Sequence, residues 1–340
     1  MNILSSDSVI PASTPTPREW ARLVAAHGSP SDRRALLELA LTLVPFFALW
    51  AATWALLSAG YWMGAVLMVP MAGLLLRTFI IQHDCGHGSF MSSKAANAWV
   101  GRFCGVLTMT PYAFWNHAHK LHHIGAGSLS RRGIGDIKTM TVAEYTAASG
   151  WQRFKYRLYR HPIIMFGLGP SYIFLLDQRL PVGDFGRRGP WISTMGTNLG
   201  IVALWAAAMW LVGWQLFLMI QIPVTIMAAS AGVWLFYVQH QFEDTIWEDD
   251  QDWNFHEAAL YGSSHYDLPQ PLRWFSGNIG LHHIHHLSSR IPFYRLPKVI
   301  EAFPQLGDIN RMTLRQSLKS ARLTLWDEDK RRMVPVTAAA

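Results

Sequence analysis

Charge is scarce in this chain. Asp, Glu, Lys and Arg make up 15% of its 340 residues, against about 25% in soluble globular domains, which is too little to wet the surface of a soluble protein of this length. Cysteine is scarcer still: with only Cys85 and Cys104 present, neither a disulfide framework nor a four-cysteine iron–sulfur site can form within the chain, and reduced thiols are expected. No GxGxxG fingerprint follows a strand pattern, so no nucleotide-binding fold is expected, and there is no fused haem domain. The N-terminus lacks the basic start, apolar core and cleavage site of a signal peptide. The basic residues leave a formal net charge of +7 but form no patch interleaved with aromatics, which sets nucleic-acid binding aside.

What is abundant is apolar. Hydrophobic residues make up 51% of the chain, 16 of them Trp, and they gather in runs at about 36–59, 61–81, 191–212 and 214–238, each long enough to cross a hydrocarbon core. Arg77 stands about one turn before the end of the second run, where its long side chain is expected to snorkel. The stretch 88–189 is mixed and reads as interfacial or re-entrant segments. Residues 1–31, rich in Ser, Thr and Pro, read as a flexible tail; 32–306 read as one membrane domain and 307–340 as a polar C-terminal tail. Of the 29 Lys and Arg, four precede the first span, thirteen lie between the second and third and eleven follow the fourth, leaving Arg77 inside a span. By the positive-inside rule both tails and the long middle segment are cytoplasmic. The expected fold is all-α, an integral membrane protein with four transmembrane helices in two hairpins and a cytoplasmic helical cap.

Two returning hairpins bring distant histidines to one membrane face. His282, His285 and His286 stand at i, i+3, i+4, which turns three imidazoles toward one side of a helix. His119, His122 and His123 repeat the spacing, and His83 and His87 stand four apart. With His240 just past the fourth span, the set numbers nine, too many for one ion and suited to two metals with four or five ligands each. Imidazole suits iron, zinc, copper and nickel alike, so ligand type alone names no metal. A lone HxxxH is more often structural than metal-binding; three in order are not so easily dismissed. His117 and His283 adjoin this set, Cys85 lies between two of its members, and His265 precedes the last box; packing or surface roles are expected for all four.

The segments HDCGHGSF at 83–90, HKLHH at 119–123 and GNIGLHHIHHLSSRIPFYRL at 277–296 resemble the three histidine boxes of the membrane fatty acid desaturases, in the acyl-lipid, delta-12-like bacterial branch. QHQFEDTIW at 239–247 is also similar to that branch, and the likeness runs from the second span to Leu296. The resemblance implies an oxygen-dependent desaturase with two non-haem irons, held by His83, His87, His119, His122, His123, His282, His285 and His286, with His240 as the ninth ligand. It implies a cis double bond in a lipid-linked acyl chain, at an omega-6 or delta-12 type position, and a bacterial inner-membrane location with the histidines cytoplasmic. Asp84, Glu243, Asp244, Asp267 and Asn278 are available to hold the ligands' second nitrogens. Because the chain carries no electron-collecting group, a separate donor with its reductase is expected, a ferredoxin ahead of a small cytochrome, steered by the basic face. Rival readings are a di-iron acyl, alkane or carotenoid hydroxylase, a membrane metal or haem carrier, and a scaffold with incidental histidines.

Overall fold

The computed structural model describes residues 15–133 and 135–339. A short amphipathic helix, Pro17–Ala25 (α1), precedes the first long one, Asp32–Ser58 (α2). A 3-10 turn at Trp62–Leu67 leads into Met68–His87 (α3), followed by Lys94–Leu107 (α4) and Tyr112–Gly125 (α5). Short helices Val142–Ala147 (α6), Gly150–Arg160 (α7) and Gly169–Leu175 (α8) connect to the second long pair, Arg188–Val212 (α9) and Trp214–His240 (α10). Phe255–Tyr261 (α11), Leu272–Phe275 (α12) and His282–Leu287 (α13) belong to the cap.

Four helices have the length and apolar composition to cross a membrane: α2, the unit Trp62–His87, α9 and α10. They form two hairpins that turn at Gly60 and Gly213, both at positive φ (86° and 84°), a conformation a side chain would strain. Both turns therefore lie at one end of the bundle, and His83, His87 and His240 at the other. The apolar run ends at Ile81, but the helix goes on to His87 because Gln82 to Gly86 are enclosed by protein. That extra length is what carries two histidines past the bundle. Gly88, at φ 69°, then ends α3, its N–H donating to the carbonyls of Asp84 and Cys85, the left-handed glycine cap common at helix C-termini.

Three expectations are corrected. Arg77 does not snorkel: it is fully buried, its guanidinium paired with Glu38 of α2 and bonded to Thr42 Oγ1 (3.1 Å) and the Trp274 carbonyl. A buried charge so enclosed needs a full set of partners, and here they tie both helices of the first hairpin to the cap. The described part of the segment 1–31 is not a loose tail either. Thr16 and Glu19 form a capping box, and Trp20 and Val24 are buried, Trp20 edge-on to Phe303 at 5.5 Å; residues 1–14 lie outside the described residues. The segment 307–340, read as a polar tail, is folded against the cap: strand Met140–Thr141 (β1) pairs in parallel with Leu325–Asp327 (β4), which pairs antiparallel with Arg332–Val334 (β5), and His265–Asp267 (β2) pairs in parallel with Arg311–Thr313 (β3). Trp326 in β4 is fully buried, so the segment supplies core as well as charge.

Candidate metal centre

Nine histidines converge above the bundle. Those expected from the sequence, and among the described residues no other His, Cys, Asp or Glu, fall into two groups: His83, His87, His119, His123 and His285 in one, His122, His240, His282 and His286 in the other. Within each group the candidate ligand atoms all lie within 4.8 Å of one another. Helical spacing explains the division. On α5, His119 and His123 are four apart and share a side, whereas His122 is rotated toward the second group; on α13, His282 and His286 share a side and His285 faces the first. Two helices thus serve both groups, α3 completes the first and the last residue of α10 completes the second.

The nitrogen spacing tests whether a metal fits. In the first group Nε2 of His87 is 3.0 Å from Nε2 of His119, and Nε2 of His123 is 3.1 Å from those of His119 and His285. In the second, Nε2 of His240 is 3.1 Å from that of His122 and 2.9 Å from that of His282, which is 3.1 Å from that of His286. Nitrogens bound at right angles to a first-row divalent ion at about 2.1 Å would stand about 3.0 Å apart. Burial, and then the neighbouring imidazoles, hold His119, His122, His123, His282, His285 and His286 well below the usual imidazole pKa. They are therefore neutral at pH 7, with a lone pair to offer. Buried lone pairs facing one another repel unless a cation sits between them, so the residues fit two metal ions.

The second nitrogens show what fixes the rings. Asp84 Oδ1 stands 3.0 Å from His83 Nδ1, and its other oxygen accepts the Phe293 N–H at 2.6 Å. His240 Nδ1 lies 3.2 Å from the Gly262 carbonyl. The Nδ1 atoms of His122, His282 and His285 are buried without a partner among the described residues. Of the five groups expected to orient ligands, only Asp84 does so. Glu243 and Asp244 are exposed, Glu243 reaching Arg332; Asp267 pairs with Arg311 at 2.6 Å. Asn278, at φ 56°, shapes the turn before α13, its side chain donating to the Phe293 carbonyl at 3.3 Å. Glu243 and Asp244 follow His240 closely in sequence but lie on a loop that turns them outward, and the side chains of Asp267 and Asn278 are engaged elsewhere.

The residues expected to be bystanders are outside both groups. His117 is exposed. His283 is buried on the opposite side of α13, bonded to the Leu306 carbonyl at 2.9 Å, and its burial pushes it down to about 3. His265 packs 5.7 Å from it, and Cys85 is a buried free thiol.

A cavity of about 250 Å³ opens beneath the histidines. Its upper end is lined by His83, His119 and His282, members of both groups, and its walls by Leu75, Leu76, Phe79 and Ile80 of α3 and Ala228, Ala229, Gly232 and Phe236 of α10. Trp115 stacks on His119 at 4.6 Å and meets Phe79 edge-on at 5.2 Å, so one aromatic wall runs from the cavity to the first group. The small residues at 228, 229 and 232, about one turn apart on α10, are the sign in the sequence of this inner space.

A family model described as Fatty acid desaturase matches residues 60–313, which hold all nine histidines. A fatty acid desaturase of Bacillus subtilis is 45% identical over 94% of this chain and 91% of its own length. An sn-1 acyl-lipid omega-3 desaturase (ferredoxin) of Synechocystis is 29% identical over 68% of this chain and 65% of its own. An sn-1 oleoyl-lipid 12-desaturase of the same organism is 25% identical over 65% and 63%.

Proposed function

This chain belongs to the fatty acid desaturase family, oxidoreductases of lipid metabolism, and from that premise we propose that its two histidine groups hold one iron each and that its cavity holds a lipid-linked acyl chain, into which a cis double bond is introduced with dioxygen as co-substrate. The observation that carries the reading is that one apolar cavity ends on members of both groups. A chain held there lies against members of both groups, as a reaction on the chain at a paired metal site needs.

An alkyl C–H bond has no acidic proton, so no general base in this chain could open it. Bound in the two groups, the irons would supply, with dioxygen and electrons, the oxidising power that the side chains lack. The residues do the rest. Leu76, Phe79, Ile80 and Phe236 line the space with apolar side chains, which disfavour water beside the chain and so limit competing reactions. Asp84 holds His83 with its proton on Nδ1, leaving Nε2 free to bind. The buried pair Arg77–Glu38 fixes α3 against α2, so the last turn of α3 presents His83 and His87 at a constant height.

The charge count already given supports an orientation with the histidine face and both termini on the cytoplasmic side, and the membrane proposed is a bacterial inner membrane. The electron donor is a separate small acidic carrier of the ferredoxin kind with its reductase. This is supported by the absence of electron-collecting motifs in the sequence and by the ferredoxin in the name of one relative. The relatives' names carry two bond positions, omega-3 and 12, so the position is read from the product and not from kinship.

Expression in a host of defined fatty acids, followed by lipid analysis, tests the reading. New cis double bonds in lipid acyl chains are expected, with two irons per chain in the purified protein. Unchanged acyl chains in the presence of iron, reductant and carrier overturn it, and retained oxygen in the product would mean hydroxylation. Turnover with NAD(P)H and no carrier would refute the separate donor.

A further inference from the structure

The cavity has a side wall that the desaturase reading leaves unexplained. Between α8 and α9 the chain makes a single 3-10 turn, Asp177–Arg179, and Gln178 lines the cavity beside Ile173, Phe174 and Gly135. This turn is held hard. Arg179 Nη1 donates to Asn198 Oδ1 at 2.8 Å, Asn198 Nδ2 donates back to the Arg179 carbonyl at 2.8 Å, and the guanidinium also reaches the Met109 carbonyl. On either side, Tyr172, Leu176 and Leu180 are exposed apolar residues, the surface a membrane-facing segment presents to lipid. Gln178 thus stands where the cavity wall meets the bilayer.

Apart from the histidines and the Trp115 indole, the other polar side chains lining the cavity are engaged. Thr108 donates to Gln82 Oε1 at 2.7 Å, Thr225 accepts from Gln221 Nε2 at 3.2 Å, and Gln239 Nε2 donates to the Ile279 carbonyl at 3.0 Å. Gln178 differs: its Oε1 is buried with no partner among the described residues. A buried polar group without a partner calls for one, and hydrocarbon cannot serve. A half-turn about the last side-chain bond exchanges Oε1 with Nε2, so the amide can offer a donor to the cavity.

We propose that Gln178 is a specificity-determining residue whose side-chain amide donates a hydrogen bond to the ester carbonyl of a membrane glycerolipid, fixing how far the acyl chain reaches past the metal groups. The proposal rests on the reading of the cavity as the acyl site. The polar end of a lipid is an ester with strong acceptor oxygens, and it is the part of the substrate that stays at the level of the bilayer surface while the tail enters. A fixed donor at the wall and a fixed site above it would together count carbons between the ester and the new double bond. The apolar walls alone could not, because an alkyl chain slides along them at little cost.

The test compares wild type, Gln178→Leu and Gln178→Asn by two readouts. Binding of a saturated phosphatidylglycerol in vesicles to the purified protein should weaken about 2- to 13-fold in Gln178→Leu, the loss of one neutral hydrogen bond, and recover in part in Gln178→Asn. In cells, Gln178→Leu should raise KM more than it lowers kcat and spread the double bond over neighbouring positions. Iron content should stay the same, and melting temperature should not fall, because no intramolecular bond is removed. A purely structural glutamine predicts the reverse, unaltered lipid binding and a single product position, and that result overturns the proposal. So does a variant that weakens binding of an acyl-coenzyme A thioester but not of the phosphatidylglycerol. If wild type binds lipid yet forms no double bond, the desaturase reading fails while the binding comparison still decides the role of Gln178.

Discussion

The two histidine groups share α5 and α13 yet are held in different ways. The group of five lies toward the rim: His87 and His123 are half-buried, and His83 is clamped by a carboxylate. The group of four is wholly buried. His122 and His282 have no partner for their second nitrogen among the described residues, His240 has the Gly262 carbonyl at 3.2 Å, and packing adds to this: Phe236 lies 5.1 Å from His122 and 5.6 Å from His240. One group has five histidines, a clamp and two members open to solvent; the other has four, one helix-end histidine among them, all buried. The rim group is the more accessible of the two, while the enclosed group is the one that the loss of a single histidine should empty.

His240→Ala should break this contrast most severely. Losing one of four nitrogens leaves three in a closed space with no solvent to fill the gap. Ligand loss should cost more than the about 10- to 100-fold that loss of an orienting partner costs, so iron should fall to about one per chain and activity should vanish. The spans are untouched, so the variant should still insert; full iron and activity would remove His240 from the site. Stripping the metal from wild type should show the enclosure through pH. Burial depresses His119, His122, His123, His282, His285 and His286, so in metal-free protein their neutral forms contribute stability above the unfolded pKa of about 6.5. That stability is lost as pH falls below it, because the unfolded chain takes up protons the native one refuses. Melting temperature of the metal-free protein should therefore drop between about pH 7.5 and 5.5; a flat profile would mean the imidazoles are solvated.

His87→Ala sharpens the comparison from the other side. Four nitrogens remain in the rim group and water can reach the vacated position. Iron content should stay close to wild type while activity falls about 100-fold, the upper end expected for disturbed ligand support. Equal iron loss in His87→Ala and His240→Ala would erase the distinction between the groups. Asp84→Asn should be milder, about 10-fold in activity, since the amide has one oxygen to accept with and can serve Phe293 N–H or His83 Nδ1–H but not both, so His83 loses its fixed acceptor. An unchanged rate would show that α3 alone orients the ring.

Much of this was legible because helices repeat. Two histidine triplets at i, i+3, i+4, a pair at i, i+4 and four apolar runs are local patterns, and the span ends Ser58, Val212 and His240 lie within two residues of those read from composition. What escaped depends on partners far off in sequence. Arg77 reads as a snorkelling residue until Glu38, 39 residues earlier, is placed beside it. Glu243 and Asp244 look like orienters because they follow His240 closely along the chain, whereas the loop after α10 leaves them exposed, and Asp267 is taken up by Arg311. Strands of two or three residues, such as β1 and β4, carry too little periodicity to be seen. The capping box at Thr16 to Glu19 was readable by rule, and only the surrounding Ser and Pro masked it. Gln178, one polar residue in an irregular turn, gives no signal at all until the cavity beside it is known.

The smallest expected effects come from the two histidines that adjoin the ligands but face away. His283 and His117 differ from each other as the two groups do, one enclosed and one open. His283→Ala removes a buried ring and leaves the Leu306 carbonyl without its partner, which should cost about 1–3 kcal/mol of stability and lower the melting temperature. It should leave iron at two per chain, because the ring lies on the far side of α13 from both groups. His117→Ala touches nothing buried; iron, activity and melting temperature should all match wild type. Both variants distinguish a histidine that binds metal from one that only sits beside a ligand, and they do so by separate readouts. Iron loss in His283→Ala at a temperature where the protein is folded would place that residue in the site. Iron loss in His117→Ala, which has no packing role to lose, would mean that α5 turns differently and that the assignment of His119, His122 and His123 must be shifted with it.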